Sequence, residues 1–86
     1  MAEKDTRIPR EIMADRFIEL ANELSETEPI ERVGAALMFA AARYNAFELS
    51  SKTDNLKKDK GDAQEWFSRQ YAKMLTANIE EIMEMQ

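Results

Sequence analysis

Arg43, Tyr44 and Asn45 place a fixed positive charge, a phenol hydroxyl and a carboxamide at consecutive positions. Such groups together can hold a carboxylate or a phosphate, and one reading of them is a small-molecule or anion binder, or an enzyme, working between helices through Arg43 and Tyr44. On a helix, however, consecutive side chains project about 100° apart and do not converge unaided. The plainer reading packs Tyr44 into a core stripe, pairs Arg43 with an acidic residue of a neighbouring helix and lets Asn45 bond from helix to helix. Asn22 and Asn78 also lie on or beside apolar stripes. Asn22, Arg43, Tyr44, Asn45 and Asn78 therefore form a candidate polar network, in which a polar residue at an apolar seam fixes register at some cost in stability.

The remaining chemistry is narrow. The 86 residues include no Cys and no His. Disulfides, thiolate nucleophiles and Cys-ligated zinc or iron–sulfur sites are excluded, and the commonest metal ligand and general base is missing. Glu19, Glu23, Glu31 and Glu48 offer oxygen ligands for a hard cation, but their placement reads as ordinary solvated faces. No nucleophile–base pair and no Gly-rich phosphate loop is present. No catalytic residue, cofactor or metal site is assigned, and an enzyme is not the expected class.

Net charge is −5. The one basic cluster, Lys57, Lys58 and Lys60, is interleaved with Asp54, Asp59 and Asp62, so no surface that would neutralise several phosphates is expected. Neither nucleic acid nor an anionic membrane is an expected partner. The N-terminal stretch lacks the apolar region of a secretory signal, and no run reaches the length of a membrane span. A cytoplasmic location is the expectation.

The elements that must position these residues are helical throughout. Only two Gly and two Pro occur, and no segment alternates with period two. A frayed tail over residues 1–7 leads to a first helix over about 9–24, where Met13, Phe17, Leu20 and Leu24 share a face. Pro29 ends the polar break SETEP and opens a second helix over about 29–49. Residues 50–61 read as a polar connection. Asp62 with Glu65 then gives a capping-box-like start to a third helix over about 62–83, although Thr53 or Asp54 also has the chemistry to cap an earlier start. The expected fold is an all-α, antiparallel three-helix bundle in one domain, with a surface open to self-association.

That surface comes from the second helix. Ile30, Val33, Leu37, Ala40, Tyr44 and Phe47 form one stripe at steps of three or four, while Ala35, Phe39, Ala42 and Ala46 form another roughly opposite. A helix apolar on two sides calls for cover on both. Two flanking helices cover one side, so Ala35, Phe39, Ala42 and Ala46 are a candidate interface, with itself or with an unidentified protein partner. A single exposed Phe39 among alanines is equally compatible with a bare surface. Trp66, off the main stripe of the third helix, either covers the connection near Leu56 or stands out as an interface anchor.

The strings Ala40-Ala-Ala-Arg-Tyr-Asn-Ala-Phe47 and Trp66-Phe67-Ser-Arg-Gln-Tyr-Ala-Lys-Met-Leu75, with Asn78, carry a resemblance. From about Phe17 to Ile79 the chain resembles a family of small uncharacterised bacterial helical proteins classed as domain of unknown function 3144. The resemblance implies a helical fold and a bacterial origin. It implies no activity, so no binding or catalytic residue is carried over. Near the C-terminus, where members carry an aromatic residue, this chain has Met83 and Met85.

Overall fold

Pro9 sets the first helix. In the computed structural model, which describes residues 7–86, its backbone is extended (φ −55°, ψ 143°) and its carbonyl accepts from the amides of Ile12 and Met13, both at 3.1 Å. Helix α1 follows as Arg10–Leu24, with Glu11 in its first turn, the sign that suits the positive end of a helix. No basic residue stands in the last turn. Its end is held instead by Ser25, whose backbone amide and hydroxyl both donate to the Ala21 carbonyl at 2.9 Å. The expected frayed tail lies outside the described residues except for Arg7.

Pro29 repeats the device. Its carbonyl accepts from Arg32 and Val33 at 3.0 and 3.1 Å, and α2 runs Ile30–Ser50. The C-terminal carbonyls of α2 are met by hydroxyls, Ser50 Oγ to Phe47 O and Ser51 Oγ to Glu48 O, both at 2.7 Å. The third helix, α3, spans Leu56–Met85 and so begins at Leu56 rather than near Asp62. The reason is local: the Asn55 side chain accepts from the Lys58 amide at 3.1 Å, satisfying a first-turn donor before Asp62 is reached. Thr53 reinforces the start, accepting from the Asn55 amide at 3.0 Å and donating from its hydroxyl to Asp59. The polar connection shortens to residues 51–55.

Gly34 and Gly61 sit inside α2 and α3, and neither adopts a positive φ. The protein is all-α, with three helices and no strand among the described residues.

The chain divides into two compact units, Met1–Tyr44 and Asn45–Gln86, with the division inside α2. In the first, burial gathers around the turn between α1 and α2: Val33 is 8% exposed, and Ala21, Ser25 and Glu28 are half-buried. In the second, Asn45, Glu48 and Leu49 at the end of α2, Thr53 in the connection, and Asp59, Ala63, Phe67 and Gln70 along α3 are half-buried. The last four recur at steps of four, four and three, one face of a helix. The stripe expected to form the core of the second helix is unevenly covered, since Val33 is buried while Leu37 is 38% and Tyr44 67% exposed. Spacing places them on one side, yet of that stripe Val33 alone is buried, and Ile30, one turn before it, is 75% exposed.

Candidate interaction surface

On α2, helical geometry stacks Ala35, Phe39, Ala42 and Ala46 along one side, and all four are exposed, Phe39 at 69%. An aromatic ring among methyl groups gives a flat apolar strip whose backbone another helix can approach closely. Gly34, beside the strip, has nothing within 4 Å of the position a Cβ would take. Arg43 stands one turn beyond Phe39 and forms no ion pair among the described residues, so the expected pairing with an acidic residue of a neighbouring helix is not made. Arg32, near the start of the same helix, is held by Glu28 at 2.9 Å.

Two of the other polar candidates, Asn45 and Asn78, bond within their own helices, and Asn22 is exposed on α1. Asn45 donates from Nδ2 to Glu48 Oε1 at 3.2 Å, three residues along α2, and Asn78 donates from Nδ2 to the Met74 carbonyl at 2.8 Å on α3. Tyr44, in the first unit, is largely exposed. Glu48 also accepts from Lys52 Nζ at 3.2 Å. These hydrogen bonds, that of Lys52 first and that of Asn45 second, hold the Glu48 carboxyl below the usual glutamate range. The Glu48–Lys52 and Glu65–Arg69 pairs escaped the sequence reading, although the four-residue spacing of opposite charges marks both.

Trp66, on α3 in the second unit, is 51% exposed and packs edge-on against Phe67, with ring centroids 5.2 Å apart and planes at 85°. That edge-to-face contact orients the indole while leaving about half of it in water. A shallow groove on α3 is lined by Ala72, Lys73, Thr76, Ala77 and Glu80, all from one helix. Among the described residues no group of His, Cys, Asp and Glu is placed to hold a metal ion, and no helix is long and apolar enough to cross a membrane.

No curated protein and no solved structure matches the chain. A family model described as "Protein of unknown function (DUF3144)" matches residues 12–83, from the first turn of α1 nearly to the end of α3. With α2 and all but the outer ends of α1 and α3 inside that match, the chain belongs to this family of proteins of unknown function.

Proposed function

We propose that this protein is a helical protein–protein interaction module without catalytic activity, and that the Phe39 side of α2 is its docking surface. The observation that carries this reading is the exposure of Phe39 within a strip of alanines, Ala35, Ala42 and Ala46. A large ring in water gains about 25 cal/mol for each Å² of apolar surface that a partner covers, and the flanking methyl groups leave little to obstruct a close approach. Trp66, half exposed on α3, is a second anchor of the residue type that most often dominates binding energy.

The test compares the parent chain with Phe39→Asp. Light scattering gives the mass of each in solution, and affinity capture from the native cell gives the partners of each. A change of mass or of captured partner in the variant supports the surface. Identical mass and identical capture dispose of it.

A further inference from the structure

From Tyr71 onward every residue of α3 is exposed. Tyr71, Met74, Leu75, Ile79 and Ile82 nevertheless keep helical spacing and form one apolar face. At 1.5 Å per residue the 30 residues of α3, the longest of the three helices, extend about 45 Å.

Charge adds a direction. Residues 71–85 contain Glu80, Glu81 and Glu84 against a single cation, Lys73. None of the three glutamates has a Lys or Arg three or four residues away, Glu80 and Glu84 repel one another at that spacing, and all three stand at the negative end of α3. Glu81 lies seven residues after Met74 and so borders the apolar face. On α2 the situation is reversed. Arg43 borders the Phe39 strip, has no carboxylate three or four residues away and forms no ion pair among the described residues. One helix offers an apolar face with an acidic edge, the other an apolar strip with a cationic edge.

We infer that residues 71–85 of α3 dock on the Phe39 strip of α2 in a second copy of this chain, with Glu81 of one copy against Arg43 of the other. This names the occupant of the surface proposed above and rests on that reading.

The test exchanges charges. In a pair of identical chains, Arg43→Glu sets two carboxylates against each other at each contact, and Glu81→Arg sets two guanidinium groups against each other. Both sites are exposed, so the fold tolerates each change. Sedimentation analysis is expected to show self-association of the parent chain and roughly tenfold weaker association for each single variant. In an equimolar mixture of the two variants, a contact between the two kinds of chain sets opposite charges together whichever of them gives the α3 end, so association recovers toward the parent value. Arg43→Glu combined with Glu81→Arg in one chain likewise restores opposite charges at every contact and returns association to near the parent value. A monomeric parent chain, unaffected single variants or a double variant no tighter than the singles would each overturn the inference. If the parent is monomeric while Phe39→Asp still loses a captured partner, the docking surface stands and only its occupant is wrong.

Discussion

Asn45 donates to one oxygen of Glu48 at 3.2 Å while Lys52 donates to the other at the same distance, so a single carboxylate ties the last turns of α2 to the connection that follows. An acidic side chain is the wrong sign for a helix C-terminus, and no basic residue stands in the last turn of α2. The two donors compensate for that placement. Because folding lowers the Glu48 pKa, its contribution is present above the unfolded pKa and is lost as pH falls through the folded one. Thermal melts followed by circular dichroism should therefore show stability declining through and below the usual glutamate range. Glu48→Gln should flatten that acid limb, and an unchanged limb would show that the hydrogen bonds carry no linkage.

Gly34 and Gly61 are the least helix-favouring residues of α2 and α3, and an added Cβ meets nothing within 4 Å at either. Gly61→Ala should raise stability by about 0.5–1 kcal/mol, read from urea unfolding. Gly34→Ala should do the same at concentrations where the chain is monomeric. If it also weakens association, a partner's backbone approaches α2 at that point.

Asn55 determines where α3 begins, through its acceptance of the Lys58 amide proton at 3.1 Å. Asn55→Ala should cost about 1 kcal/mol and shift the helix start toward Asp62. Faster amide hydrogen exchange at Lys58, with exchange beyond Glu65 unchanged, is the expected signature.

Val33 and Phe39 lie on different sides of α2, the first 8% exposed and the second 69%. Val33→Ala should cost about 2 kcal/mol, since it withdraws buried methyl groups. Phe39→Ala should cost under about 0.5 kcal/mol in a monomeric sample, as surface changes do. Equal losses at the two positions, measured by chemical unfolding, would refute the exposure difference.

Trp66 is the only tryptophan, so its fluorescence reports one site. With half of its surface in water, acrylamide should quench it strongly in a dilute sample. Quenching that weakens as protein concentration rises would identify the indole as part of a contact between copies. Concentration-independent quenching would remove Trp66 from the candidate interface.

The residues alone determined that this chain is helical, that Pro9 and Pro29 open its first two helices, and that Phe39 faces away from Val33. Those are consequences of fixed backbone angles and of a 3.6-residue period, which act over a few neighbours. The start of α3 was less legible because Thr53, Asp54, Asn55 and Asp62 all have capping chemistry, and the choice depended on Thr53 bonding to both Asn55 and Asp59. Tertiary structure alone decided which apolar residues lose contact with water. Periodicity states that Val33, Leu37 and Tyr44 share a side, but cover requires another segment at that height, and the turn between α1 and α2 brings burial to Val33 and leaves Tyr44 exposed. The same holds for Asn45 and Asn78, whose amides suit a bond across helices but find acceptors one turn away on their own, where no chain entropy has to be lost to reach them.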